Sequence, residues 1–180
     1  ARQISCTSNL KQIGVGTIMY AGDNDDRWPC NHWYDSSTTP SFTYHFKDAN
    51  GNSISSPHKP WFWFIYDYVK DSKVMMCPAC TSTSMFSNYG FNRYISTWSP
   101  STVTGISKPT YRIMAGDGNS SWWDSHSDWP RMVDRHTERI NYVYLDGHAD
   151  SVRRINYARQ PDRMHPSVTS WRENGANIEP

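Results

Sequence analysis

Along residues 1–22 the apolar positions fall on two stripes rather than one. Cys6, Leu10, Ile13, Thr17 and Tyr20 recur at steps of four and three, the spacing of a single helix face. Ile4, Val15, Ile18 and Met19 form a second stripe, nearly opposite the first at about 100° per residue. A helix that is apolar on two sides needs cover on two sides, and a monomer normally supplies only one. The pattern therefore predicts a terminal helix whose first face packs on its own chain and whose second face meets another subunit. The plain alternative is a helix fully enclosed in an ordinary core. Gly14 and Gly16 each cost such a helix about 1 kcal/mol relative to Ala, so packing rather than propensity must hold it.

The polar run Gly22-Asp23-Asn24-Asp25-Asp26, followed by Trp28-Pro29, ends that helix. Pro60 to Lys70 predicts a second, short helix, with Pro at its first position and Trp61, Phe64, Ile65 and Tyr68 on one stripe. Its run of consecutive aromatics also admits a buried strand. Asn88 to Asn92 opens a strand-rich half. Tyr111 to Ala115 predicts a short strand closed by Gly116-Asp117-Gly118-Asn119, and 119–131, with Trp122, Trp123 and Trp129, an irregular aromatic loop. Ile140–Leu145 and His148–Ile155 predict a hairpin joined by a two-residue Asp146-Gly147 turn, both of whose positions need φ > 0. Tyr142 and Tyr144 would face one side of it, Val143 and Leu145 the other. Asn50-Gly51 gives a second hairpin signal, and after Tyr157 the polar, Pro-punctuated tail predicts irregular structure.

Composition narrows the picture. With 180 residues the chain suits one domain, and a formal charge of +1 leaves no electrostatic footprint for nucleic acid. Nine Trp and eleven Tyr can cover a thin sheet that has few aliphatics, or could stack on sugars at an envelope surface. No apolar run reaches the ~18 residues that would span a membrane. The helical pattern begins at Ala1, which reads as a segment whose natural N-terminus lies upstream.

The candidate chemistry is modest. Cys6, Cys30, Cys77 and Cys80 suit disulfides in an oxidising compartment, with the pairing open. Cys77-Pro78-Ala79-Cys80 is also half a zinc site that Cys30 and His32 could complete, although structural zinc sites usually show paired spacings. Asp23, Asp25 and Asp26 are calcium candidates, but they lack the alternating ligands of a dedicated loop, and a solvated helix exit explains them as well. His136, Asp146 and His148 suggest acid–base or metal chemistry. If residues 140–145 are extended, however, Asp146 lies roughly 20 Å from the start of the strand that His136 precedes. Shared ligation needs contact near 3 Å, so structural roles at two strand ends are the simpler reading. Asp117, His136 and His148 could meet only if the sheet brings the 116–118 turn to one of those ends. No G-x-S-x-G, H-E-x-x-H or phosphate-binding glycine loop is present.

Residues at both ends of the chain carry a resemblance. Arg2, Cys6 and Asn9-Leu10-Lys11-Gln12-Ile13-Gly14 resemble the R-x-x-x-C-x-x-N-L-K-Q-I-G stretch that follows the membrane helix in prepilin-like proteins. Tyr20 to Asp25 is similar to their Y-A-x-D-x-D, Cys77-Pro78 to their C-P-x, and Asn88 to Asn92 to their S-Y-G-Y-N. His136, Asp146 and Gly147 fit the family's H-x9-D-G signature. The resemblance implies a pseudopilin with a type IV pilin-like α+β fold: a long N-terminal helix (here 1–22) packed on an antiparallel sheet within a head spanning 23–180, with irregular aromatic-rich loops. It implies a leader that is cleaved and methylated, and an upstream helix anchored in the bacterial inner membrane with the head in the periplasm. The implied role is non-enzymatic assembly with other pseudopilin subunits into a type II secretion pseudopilus or a type IV pilus-like filament. Major members often bind calcium, but no motif here carries that site over. Because both occupy family landmarks, Cys6 and Cys77 are the expected disulfide pair.

Overall fold

The computed structural model describes residues 1–30, 32–34, 42–47, 53–56, 58–80, 87–92, 95, 102–118, 122–123, 133–153, 171–173 and 176–178. Helix α1 spans Arg2–Asp23 and α2 spans Trp61–Val69, followed by a 3-10 turn, η1, over Ser72–Met75. Five strands form the main sheet: β5 (Tyr89–Asn92), β6 (Ile113–Asp117), β7 (Trp122–Trp123), β8 (Arg139–Tyr144) and β9 (Ala149–Arg153). Their order is β7-β5-β6-β8-β9; β5, β6, β8 and β9 are antiparallel neighbours, and β7 adds in parallel at the edge beside β5. The fold is thus α+β and pilin-like, an N-terminal helix lying on an antiparallel sheet.

Three further two-stranded sheets are present. β1 (His32–Tyr34) pairs with β4 (His58–Pro60), and β2 (Phe42–Lys47) with β3 (Ser53–Ser56). β10 (Trp171–Glu173) pairs with β11 (Ala176–Ile178) around Asn174-Gly175, so the tail predicted to be irregular contains a strand pair. Likewise the predicted aromatic loop at 119–131 contributes β7, an edge strand of two residues. The turn at Asn50-Gly51 lies outside the described residues; the strands on either side of it pair.

The first stripe of α1 is its buried side: Cys6, Leu10, Ile13 and Thr17 are fully enclosed. Cys6, Leu10 and Ile13 share one core with Trp61, Phe62 and Ile65 of α2, Tyr89 and Phe91 of β5, Met114 and Ala115 of β6, and Val143 and Leu145 of the β8 side. Two of the three α1 glycines, Gly14 and Gly16, mark close approaches. A Cβ on Gly14 would stand 2.5 Å from Val143 Cγ2, and one on Gly16 2.6 Å from Val69 Cγ2. The two helix-weakening residues are therefore what lets α1 settle between α2 and the sheet.

α2 turns a different face inward than its spacing predicted. Trp61, Phe62 and Ile65 are buried, and Trp61 stacks on Phe91 at 5.1 Å. Phe64 and Tyr68 instead meet Tyr20 of α1 edge-on, at 6.0 and 6.1 Å. The helix has two neighbours, the sheet and α1, so its apolar arc is wider than one stripe.

β6 also runs further than predicted. Gly116 and Asp117 are strand residues opposite Gly90 and Tyr89, not a closing turn. The strand continues because Asp117 is anchored: its Oδ2 accepts the Asn141 backbone N–H at 2.8 Å. A register shift between Ile113 and Ala115 turns both Met114 and Ala115 toward α1. The alternation in β8 is as expected, with Val143 in the core under α1 and Tyr142 and Tyr144 in a second cluster with Ile113 and Ile140.

Candidate functional site: a buried knot and an exposed helix face

Five separate segments meet beneath the first turns of α1. Cys6 is disulfide-bonded to Cys77, just past η1, with 5.4 Å between their Cα atoms and a sequence separation of 71. One turn further along the helix, Asn9 donates through Nδ2 to the Met76 carbonyl at 3.1 Å and to the Tyr89 hydroxyl at 3.3 Å. Asn88 accepts the Cys77 N–H on its Oδ1 at 2.9 Å, so the entry to β5 holds the cysteine segment in place. Burial raises the Tyr89 phenol above its usual range, and the hydrogen bond from Asn9 offsets only part of that rise.

His136 enters this knot from the start of β8. Its Nε2 stands 3.5 Å from Cys77 Sγ and 3.5 Å from Asp117 Oδ2, with the imidazole almost fully buried. Arg135, its chain neighbour, donates to the carbonyls of Asn88 (2.8 Å) and Gly118. The side chains of Cys6, Cys77, Asp117 and His136 bring their ligand atoms within 4.8 Å of one another, the one such convergence of three or more His, Cys, Asp or Glu among the described residues. Asp117 Oδ1 is buried there without a hydrogen-bond partner.

His136 reaches the knot through backbone strain. Thr137 (φ 55°) and Glu138 (φ 62°) are both left-handed, and the His136 N–H bonds the Arg139 carbonyl at 3.4 Å. A turn with both central residues at φ > 0 was expected at Asp146-Gly147, where only Gly147 (φ 87°) adopts it. There the Gly147 N–H bonds the Tyr144 carbonyl, and Tyr144 N–H the His148 carbonyl, each at 2.9 Å. The connection is a three-residue loop over 145–147 with Gly in the left-handed position, a longer loop than the expected Asp-Gly pair. Asp146 is spared the strain because its carboxylate caps the loop instead, with Oδ1 3.1 Å from His148 N and 2.5 Å from His148 Nδ1.

The two ends of the H-x9-D-G segment therefore do separate work. His136 sits in the buried knot, while Asp146 and His148 pair on the surface, with the His148 ring stacked on Tyr144 at 4.1 Å. Of the trio Asp117, His136 and His148, the sheet brings the first two together and leaves His148 out. Gly147 has a second task, since Ile18 Cδ1 would lie 3.0 Å from a Cβ at that position. The Asp-Gly loop thus seats the edge of α1.

On its far side α1 is open. Ile4 is 74 % exposed, Val15 47 %, Ile18 37 % and Met19 52 %, and these are all the exposed large apolar side chains among the described residues. Ile4, Val15 and Ile18 line a shallow groove whose other wall is Asp146, Gly147 and His148. The N-terminal half of the helix is fastened beside this groove by Gln3 Nε2 donating to Ser151 Oγ (2.8 Å) and Thr7 Oγ1 to Asn141 Oδ1 (3.3 Å).

The remaining candidates are placed as follows. Cys30, which is buried, and Cys80 are thiols. Cys77 is bonded to Cys6, which removes it from a zinc pair with Cys80, and the side chain of His32 lies outside the described residues. The acidic run is engaged locally: Asp26 Oδ2 accepts Thr104 N–H (3.1 Å) and Oγ1–H (2.8 Å), and Asp23 Oδ2 accepts the Tyr68 hydroxyl (3.1 Å). Asp25 and Asp26, just past the helix end, are left-handed (φ 54° and 59°). Asp23, Asp25 and Asp26 do not converge as a ligand set. Nothing in the local pattern around Asn9, Asn88, Arg135 or Asn141 marks them as parts of the knot. The first two sit inside the motif stretches, which was the one available signal.

Residues 1–76 match a family described as "Protein of unknown function (DUF1559)", SBP_bac_10. The matched part takes in α1, α2 and η1 and stops one residue before Cys77. No curated protein and no solved structure matches the chain.

Proposed function

We propose that the chain is a non-enzymatic assembly subunit, the head of a membrane-anchored pseudopilin that polymerises with other subunits through α1. The observation that carries this reading is the single-sided exposure of α1: every exposed large apolar side chain among the described residues lies on one face of that helix. Isolated apolar residues on a surface need no explanation, but a row of four along one rod, beside a groove, marks a contact surface. The α+β architecture with a leading helix on an antiparallel sheet, the family match over 1–76 and the landmark residues gathered in the knot support the same reading. In it, an apolar helix upstream holds the subunit in the inner membrane of a bacterial envelope. No helix among the described residues is itself long and apolar enough to cross a membrane. The head then lies in the periplasm or on an exported filament, where the Cys6–Cys77 bond persists.

A sugar-binding surface is less well supported. Trp28 and Trp61 are buried in the core, and the exposed apolar groups among the described residues are aliphatic, without the flat π-faces that stack on sugars.

The test is a Val15→Glu/Met19→Lys double variant of the full-length subunit in its native cells. The new pair keeps good helix formers at i, i+4 spacing. The reading predicts loss of the filament fraction released by shearing while the purified head keeps wild-type stability. Normal filaments from this variant would refute it.

A further inference from the structure

We propose that the knot is a metal site when its disulfide is reduced, with Cys6 and Cys77 as thiolates, His136 through Nε2 and Asp117 through a carboxylate oxygen holding one tetrahedral divalent cation of zinc type. This goes beyond the assembly reading and does not depend on it.

Geometry is the first support. Metal–sulfur distances of about 2.3 Å and metal–nitrogen or –oxygen distances of about 2.0–2.1 Å put the ligand atoms of a tetrahedral site roughly 3.3–3.8 Å apart. His136 Nε2 lies at 3.5 Å from both Cys77 Sγ and Asp117 Oδ2. The 3.5 Å to the carboxylate is long for a hydrogen bond, which favours ~2.7–3.2 Å between N and O. Both separations are already edges of such a tetrahedron. The four ligand atoms already lie within 4.8 Å of one another, and on reduction the two sulfurs part from bonded contact to about 3.8 Å.

The second support is the state of the carboxylate. Asp117 is fully buried, and its Oδ1 has no hydrogen-bond partner, which leaves the carboxylate half-satisfied, a costly arrangement unless a cation bound at the same carboxylate completes it. Its Oδ2 is held by Asn141 N–H at 2.8 Å, the kind of outer contact that orients a metal-binding carboxylate. Two thiolates, a carboxylate and a neutral imidazole suit a borderline-soft dication and not calcium, which takes oxygen ligands only. The strained Thr137-Glu138 turn has the effect of delivering the imidazole to this point.

The redox step balances. A dithiol reductant gives two electrons to the Cys6–Cys77 bond and closes into its own disulfide, and its two protons pass to the separated sulfurs. The cation then binds both sulfurs and releases those protons to solvent. The oxidised chain staples α1 to the η1–β5 segment covalently; the reduced chain does so through the metal.

Cobalt(II) is the probe, added to the reduced 180-residue chain carrying Cys30→Ser and Cys80→Ser so that neither outside thiol can contribute. The expected result is one cobalt per chain, with thiolate-to-cobalt charge transfer and intense tetrahedral d–d bands, displaced by zinc. The disulfide form should take up none. His136→Ala and Asp117→Asn, each shown by circular dichroism to be folded in the disulfide form before reduction, should weaken binding by tenfold or more. Asp117→Asn retains an oxygen for Asn141 N–H, so it removes the ligand with the least disturbance. Absence of uptake by the reduced chain, loss of uptake caused by Cys30→Ser and Cys80→Ser alone, or undiminished affinity in both ligand variants would each overturn the site.

Discussion

The two sides of α1 are alike in hydrophobicity and opposite in fate. On the inner side Cys6, Leu10, Ile13 and Thr17 are enclosed, and the polar groups among them are bonded: Cys6 to Cys77, Thr17 Oγ1 to the Ile13 carbonyl at 2.8 Å. On the outer side Ile4, Val15 and Met19 face outward with no part of the described chain over them. A helix held only by burial would turn whichever stripe is more apolar inward. This one is oriented by directional links as well: a disulfide, the Asn9 hydrogen bonds and two glycine close approaches that fit in one rotation only. Specific bonds thus choose the buried face and leave an equally apolar face for another use.

The inner side should therefore be costly to disturb, and the largest effect belongs to the disulfide. Replacing both cysteines (Cys6→Ser with Cys77→Ser) removes a link across 71 positions and should cost about 4 kcal/mol by loop-closure entropy. A urea denaturation midpoint close to wild type would break the claim that this link sets the orientation of α1.

Gly14→Leu comes next. Its Cβ would collide with Val143 Cγ2, with the Gly147 backbone close behind. Overpacking of this kind costs about 1–3 kcal/mol, against about 1 kcal/mol regained from helix propensity. Gly22, where an added methyl would meet nothing within 4 Å, is the control. There Gly22→Ala should stabilise by up to about 1 kcal/mol. Equal shifts for the two substitutions would show that α1 is not closely seated.

Tyr89 supplies a pH test of the same side. Its phenol is raised above the ordinary value of 10.0, first by burial. Its contribution to stability is fully present below pH ~10 and is lost as pH rises from there toward the higher folded value, because the unfolded chain ionises first. The loss approaches about 1.4 kcal/mol per pH unit for this one group. Tyr89→Phe should remove one proton's worth of slope from the alkaline limb of denaturation, and an unchanged slope would show that the phenol is not held as described. On the outer side the expected stability effect is smallest: Val15→Glu/Met19→Lys should stay within about 0.5 kcal/mol of wild type by calorimetry.

Much of this contrast was legible in the chain. The period of residues 1–22 separated the two stripes correctly, because a helix face is a local property. The alternation in 140–145 likewise assigned Val143 and Leu145 to one side and the tyrosines to the other. The knot was less visible, since its partners come from five segments and spacing says nothing about which distant segments meet. Local turn signals also failed where tertiary contacts won. Thr137-Glu138 adopts the left-handed pair although neither residue favours it, because His136 is drawn to Asp117 and Cys77. Asp146-Gly147, the stronger signal, closes a longer loop in which the aspartate caps His148. Asp117 reads as a turn residue beside two glycines, and only its bond to Asn141 explains why it remains in the strand.

The most direct test of the central claim, that the outer face of α1 is a subunit contact, is cross-linking in intact cells. Full-length subunit with Met19→Cys, in a Cys30→Ser/Cys80→Ser background, is treated with a short bismaleimide, beside a matched Lys108→Cys control on the exposed turn before β6. The account predicts cross-linked dimer from position 19 and monomer from position 108. Monomer alone from position 19, in cells that still make filaments, would contradict it.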